Sequence, residues 1–195
     1  MAGKFLKGSS LVGGTPKMGR VENDYYATPP KTTQALLDAI RLEGSILEPA
    51  CGEGHISEVL KKNYPKAEVV STDLIDRGYG AGGIDFLEKE YDRTFDIVIT
   101  NPPFKYMREF VEKSLEISTD KVIMFGKIQF LEGQRRREFL KNSPLKYVYV
   151  FSERQNPMRN GSPVDENGKK WSSTMCFAWY VWEQGYEGEP VVRWL

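Results

Sequence analysis

Apolar positions along the chain fall into short Ile- and Val-rich runs separated by stretches of helical period. Residues 95–100, Phe-Asp-Ile-Val-Ile-Thr, read as a strand buried on both faces, because the run is nearly continuous rather than alternating. Residues 45–50 and 68–73 read as the first and second strands and 121–125 as the fifth, while 84–87 (Ile-Asp-Phe-Leu) read as the end of a short third strand. Between the runs, Leu36, Leu37 and Ile40 form one apolar stripe, with Thr32 or Thr33 placed to cap the helix. Ile56, Val59 and Leu60 form a second stripe. Phe110, Val111 and Leu115 form a third that runs to about Ile117, and 129–140 give a fourth helical pattern. Residues 147–151 and 175–182 read as the last two strands, paired antiparallel. Strands alternating with helices predict an α/β domain with a mostly parallel sheet and helices on both faces.

Two stretches fall outside this alternation. Residues 1–22, rich in Gly, Ser and Lys, are expected to be a mobile arm before a single domain over 23–195. Lys4, Lys7, Lys17 and Arg20 in that arm suit either a phosphate backbone or plain solvent. The second stretch is a loop over 154–173, full of Asn, Gly, Pro and Ser, and loops of that length in compact domains are functional or disordered. Arg154, Arg159, Lys169, Lys170 and Trp171 combine charge with a stacking ring, a mix suited to single strands or extruded bases. Asp165 and Glu166 dilute that signal, and binding and disorder both stand.

At 195 residues the chain fits one domain. Its 27 Lys and Arg balance 27 Asp and Glu, so any surface for nucleic acid must be local. The cysteines, Cys51 and Cys176, fit a reduced compartment and form no zinc-type cluster, so no metal is expected. With no apolar run of membrane-spanning length and no signal-peptide core at the start, the expectation is a soluble cytoplasmic protein.

The candidate chemistry gathers at strand ends. After Thr100 the apolar run stops on Asn101, followed by Pro102 and Pro103, neither of which has an N–H to continue a ladder. Pro102 biases Asn101 toward extended backbone. The Asn101 amide and the Pro102 carbonyl are thus expected to project off the strand with the Phe104 ring beside them. Two acceptors and an aromatic face suit a planar amine.

The first strand runs through Glu48 and Ala50 into a tight loop, Cys51-Gly52-Glu53-Gly54, that opens a helix, as in a Rossmann-like unit. Ser57 stands where a dinucleotide fingerprint has its third Gly, and Glu48 would repel a pyrophosphate. Both favour a ligand with a cationic group and no phosphates, such as S-adenosylmethionine. Asp73 ends the second strand about twenty residues beyond the loop, where a carboxylate accepts from both ribose hydroxyls. Asp85 and Phe86 are placed to meet an adenine amine and ring, with a turn acid as the plain alternative for Asp85. His55, the only histidine, reads as a bystander. Tyr25, Tyr26 and Thr28, just before the first helix, either close over a ligand or form a packed turn.

In order, residues 48–54, Asp73, Asp85-Phe86 and Asn101-Pro102-Pro103-Phe104 resemble the motifs of class I S-adenosylmethionine-dependent N6-adenine methyltransferases. Residues 26–29 (Tyr-Ala-Thr-Pro) look like the motif preceding the cofactor loop in those enzymes. The stretches 130–133, 136–139 and 178–182 look like small phage and prophage DNA adenine methyltransferases. The resemblance implies a Rossmann-like class I methyltransferase fold, with a seven-stranded, mostly parallel sheet ending in a C-terminal antiparallel hairpin. It implies methyl transfer from S-adenosyl-L-methionine to the N6 amine of a flipped adenine in DNA. Asn101, Pro102, Pro103 and Phe104 would be catalytic, and Tyr26, Thr28, Glu48, Ala50, Cys51, Gly52, Gly54, Asp73, Asp85, Phe86 and Asn101 would bind cofactor. Phe104, Arg154, Arg159, Lys169, Lys170 and Trp171 would bind substrate, nucleic acid with DNA favoured over RNA. The chain departs from larger relatives in lacking a segment for a separate recognition domain, which leaves target reading to the long loop, to a protein partner or to poor selectivity. RNA adenine, a protein glutamine amide and a non-catalytic cofactor- or nucleic-acid-binding subunit are the alternatives, and Phe104 argues against the glutamine amide.

Overall fold

The computed structural model describes residues 25–159, 161–170 and 175–195. The expected mobile arm and Trp171 lie outside the described residues. The chain enters through a two-residue strand, β1 (Tyr26–Ala27), and helix α1 (Pro30–Ala39), then β2 (Ile46–Glu48), α2 (His55–Asn63) and β3 (Val69–Ser71). A long connection leads to β4 (Phe95–Thr100), a 3-10 turn (Phe104–Tyr106), α3 (Met107–Ile117) and β5 (Ser118–Lys127). A second 3-10 turn (Ile128–Leu131) precedes α4 (Gln134–Asn142), β6 (Leu145–Val150), the short β7 (Met158–Arg159), β8 (Phe177–Glu183) and β9 (Val191–Trp194).

Seven strands form one sheet in the order β3-β2-β4-β5-β8-β6-β9, with β8 alone reversed between β5 and β6. The period-2 alternation divides β4 between two cores. Ile97 and Ile99 pack with Leu36 of α1 and Ile56 and Leu60 of α2, while Val98 faces Phe110 and Val111 of α3. The sheet is thus covered on both faces, as a mostly parallel sheet must be. Trp179, Tyr180 and Trp182 of β8 are fully buried, each ring worth roughly 1.5–3 kcal/mol. Their polar atoms are satisfied: Trp179 Nε1 donates to the Thr32 carbonyl at 3.0 Å, Tyr180 Oη to that of Lys127 at 2.8 Å and Trp182 Nε1 to Ser143 Oγ at 3.0 Å.

The structure corrects four sequence expectations. Residues 84–87 are not a strand. The Gly-rich loop before them takes the free edge of β3 instead: Ala81 N donates to the Ser71 carbonyl at 2.9 Å and Asp73 N to that of Ala81 at 3.0 Å. Asp85 Oδ1 then accepts from Leu87 N at 2.9 Å, an Asx turn that bends the segment. The seventh strand is β9, which runs parallel to β6 at the far edge, so the reversed β8 is followed by one more strand rather than ending the sheet. Helix α1 starts at Pro30, where a missing N–H costs nothing; Thr32 and Thr33 lie inside it, buried. The fourth helical pattern is broken at Gly133, whose φ of +116° separates the 3-10 turn from α4.

Candidate active site

The C-terminal ends of β2, β3 and β4 open into a cleft of about 470 Å³, within the range of small-molecule sites and at the sheet edge where open α/β sheets bind ligands. Tyr26, Thr28, Glu48, Ala50, Cys51, Asp73, Asp85, Phe86, Asn101 and Pro103 all line it. Pro102 is buried behind it, and Phe104 stands beside it rather than in its wall.

Asn101 leaves the end of β4 half-buried, with Nδ2 donating to the Tyr26 carbonyl at 2.6 Å. That bond fixes the amide plane and leaves Oδ1 as the acceptor on its other side. The Tyr26 ring stacks on Phe104 (centroids 6.3 Å apart, 22° between planes), and Lys127 Nζ lies 4.6 Å from the Phe104 centroid. Tyr26 is itself held by β1, which pairs antiparallel with β7: Tyr26 faces Arg159 and Ala27 faces Met158. The long loop after β6 therefore returns across the sheet edge to the segment that holds Asn101.

The glycine turn is covered more closely than a bare Gly-x-Gly suggests. Gly52 (φ +56°) and Gly54 (φ +84°) leave no room for a Cβ because the rings of Tyr25 and Tyr79 pack on them, and neither glycine lines the cleft. Tyr25 Oη accepts from Glu53 N at 3.2 Å, and burial pushes its phenol up to about 12. Gly52 N donates to Asp73 Oδ2 at 2.7 Å, tying the turn to the end of β3. Asp73 Oδ1 accepts from Ile75 N at 2.8 Å and from Arg77 Nη1 at 3.1 Å. The Arg77 guanidinium in turn lies 4.3 Å from the Tyr25 centroid. A carboxylate has about four acceptor positions, so room for two hydroxyls on Asp73 requires Arg77 to move off.

Glu48 ends β2 with 1% exposure, accepting from the Ser57 hydroxyl, which also bonds Ser71 Oγ at 2.6 Å. Burial pushes its carboxyl up to about 8. Burial likewise raises the Cys51 thiol to about 12, which keeps it protonated. Thr28 is 2% exposed, and its Oγ1 has no hydrogen-bond partner among the described residues although the residue lines the cleft. A buried orphan hydroxyl in a cavity wall is a place for a ligand atom. Asp85 stands exposed at the rim, whereas the Phe86 ring is 2% exposed and packs at 4.9 Å on Phe110, so it is core first and cleft wall second.

Sequence reasoning missed several cleft residues. Leu74 and Ile75, 56% and 38% exposed just after Asp73, put apolar surface in its wall; an apolar dipeptide beyond a strand-end acid was the available signal. Arg77, Lys105, Tyr106 and the supposed bystander His55 also line it. Cations also recur between residues 105 and 137: Lys105 against the Tyr106 ring at 4.2 Å, Lys127 on Phe104, Arg136 on Phe130 at 5.7 Å, and Arg135 and Arg137 exposed on α4. Of the loop cations, Arg154, Lys169 and Lys170 are exposed and do not line the cleft, and Arg159 stands in β7. Asp165, which seemed to dilute their charge, builds the loop's tip, its Oδ1 accepting from the amides of Asn167 and Lys169 at 2.9 Å.

No protein-family model matches the sequence, and no curated protein matches it. Solved structures do. The 23S rRNA methyltransferase ErmE matches at 16% identity over 85% of this chain and 72% of that one, with a TM-score of 0.53. A dimethyladenosine transferase from Plasmodium falciparum matches at 15% identity over 82% of this chain and 62% of that one, TM-score 0.53. Magnesium protoporphyrin IX methyltransferase from Synechocystis PCC 6803, solved with bound SAM, matches at 12% identity over 78% of each chain, TM-score 0.51. At such identities the likeness is one of fold, and the fold is the Rossmann-like one of these methyltransferases.

Proposed function

We propose that the protein transfers a methyl group from S-adenosyl-L-methionine to the exocyclic N6 amine of adenine in DNA. The observation that carries this reading is the Asn101 amide at the cleft wall, pinned through Nδ2 so that its oxygen is the remaining acceptor. The residues around it fit the cofactor. The cleft has the volume for an adenosyl ligand, Asp73 and Asp85 offer carboxylates for hydroxyl and amine donors, and Thr28 offers a buried hydroxyl without a partner among the described residues. Leu74 and Ile75 offer an apolar wall for a flat ring.

When bound, the cofactor supplies an electrophilic methyl on a sulfonium. The chain's part is to hold and steer the nucleophile. An adenine amine is a poor nucleophile because its lone pair is delocalised into the ring. Hydrogen bonds from that amine to Asn101 Oδ1 and to the Pro102 carbonyl favour a tetrahedral nitrogen whose lone pair points along the line of transfer. Phe104, stacked with Tyr26 at the mouth, gives the flipped base an aromatic face. With its thiol held protonated, Cys51 is no rival nucleophile. The cations from Lys105 to α4 supply a local patch for phosphates on a chain of zero net charge. A protein partner that supplies target recognition is part of the proposal, because the root of the long loop is spent on the pairing of β7 with β1.

The test is transfer of labelled methyl from the cofactor to unmethylated DNA, followed by digestion and mass identification of the modified nucleoside. N6-methyldeoxyadenosine is the expected product. RNA, run in parallel because ErmE acts on 23S rRNA by name, carries the label instead if the substrate is wrong. Cofactor binding with no transfer to either would reduce the protein to a binding subunit.

A further inference from the structure

Gln155 lies 28 residues beyond β5 in a loop that no motif marks, yet it is 6% exposed. Its Oε1 accepts from the Thr32 hydroxyl at 2.7 Å, and its Nε2 donates to the Glu153 carbonyl at 3.0 Å. Thr32 sits in the first turn of α1, where its own carbonyl accepts from Trp179 Nε1 in the core. The loop is thus fastened, through one buried amide, to the helix that follows β1. Three residues on, β7 begins and pairs with β1, and the Tyr26 carbonyl in β1 is the group that holds Asn101 Nδ2. Further along the same crossing, Gly161 lies beside the flexible, exposed carboxylate of Glu53 in the glycine turn.

A two-stranded pair this short has little stability of its own. What holds β7 on β1 is its anchorage at the root of the loop, where the Gln155–Thr32 bond is buried. We propose that Gln155 is a positioning residue for methyl transfer: by clamping β7 onto β1 it fixes the Tyr26 carbonyl and, through it, the plane of the Asn101 amide. This rests on the role of Asn101 in the proposed function. It also gives the long loop a purpose other than reading sequence, and explains how a segment rich in Asn, Gly and Ser is held at its root.

The experiment is a double-mutant cycle on kcat and on cofactor affinity with the full-length chain. Gln155→Leu leaves the Thr32 hydroxyl buried without a partner, and kcat is expected to fall at least tenfold while the dissociation constant for S-adenosylhomocysteine stays within twofold. The double variant Thr32→Val/Gln155→Leu removes both polar partners, so it relieves the buried unpaired hydroxyl and is expected to recover stability but not kcat, which separates loss of the clamp from a single variant that folds poorly; recovery of kcat would overturn the positioning role. In an Asn101→Ala background, Gln155→Leu is expected to cost nothing further, because there is no amide left to orient. Additive losses in that background, or an unchanged kcat in Gln155→Leu, would overturn the positioning role. If Asn101→Ala itself leaves kcat unchanged, the proposed function falls first, and the inference with it.

Discussion

The side-chain amide of Asn101 donates from Nδ2 to the carbonyl of Tyr26 over 2.6 Å, across 75 residues of sequence. One consequence is that the amide cannot flip without leaving a backbone carbonyl unpaired. Asn101→Ala should therefore leave cofactor affinity nearly unchanged and lower kcat by about 10²–10³-fold, the range for losing one transition-state hydrogen-bonding group. Asn101→Asp should do no better, since a carboxylate facing the Tyr26 carbonyl replaces a donor with an acceptor. Steady-state rates and calorimetric affinities for both variants check this; equal losses in kcat and affinity would count against a catalytic role.

Asp73 is engaged by Gly52, Ile75 and Arg77 before any ligand arrives. Removing the carboxylate in Asp73→Ala should weaken binding of S-adenosylhomocysteine by roughly 1.5–3 kcal/mol, as for hydrogen bonds to a charged group. Arg77→Met should act in the opposite sense. It keeps the bulk over Tyr25 but frees an acceptor position on Asp73, so affinity is expected to rise several-fold. A loss of affinity in Arg77→Met would make the guanidinium a ligand contact instead of a competitor for the carboxylate.

Much of this was legible in the sequence, for reasons of local physics. Runs such as 95–100 announce buried parallel strands, and the residue types at their ends point to one edge, where the structure assembles Glu48, Asp73 and Asn101 around one cleft. What escaped depends on distant partners. β1 and β7 are two residues each and exist only through each other. All four residues of β9 are exposed, so no alternation marks it, and its register comes from β6. The absent third strand misled because residues 84–87 have strand-like composition, while the loop ahead of them had already taken the edge of β3.

That capture of the β3 edge can be tested with two glycines of the same loop. Both adopt left-handed backbone, φ +77° at Gly78 and +65° at Gly80, so alanine at either should cost about 1–2 kcal/mol. A Cβ at Gly78 meets nothing within 4 Å, whereas one at Gly80 runs into the backbone carbonyl of Ser71. Gly80→Ala should accordingly lose a further 1–3 kcal/mol, roughly, because backbone cannot step aside as a side-chain tip can. Denaturant midpoints of the two variants give the comparison, and equal losses would mean that the loop does not lie against β3.

The carboxyl of Glu48 makes stability depend on pH in an unusual direction. Burial, helped by the nearby charge of Asp73, raises it from 4.5 to about 8 against the opposing Ser57 bonds and Lys61. Between those two values the folded protein holds a proton that the unfolded chain has released. Stability contributed by this group is therefore fully present below about 4.5 and is lost as pH climbs toward 8, at up to about 1.4 kcal/mol per pH unit. A typical ion-paired carboxylate behaves oppositely, with its contribution lost on acidification. Glu48→Gln keeps the shape but cannot ionise, so its unfolding free energy should be flatter than that of the parent over pH 5–8, and the difference between the two should shift in favour of the variant as pH rises. Denaturation at several pH values measures this directly. Parallel curves would mean that Glu48 is charged throughout, held by its serines despite its burial.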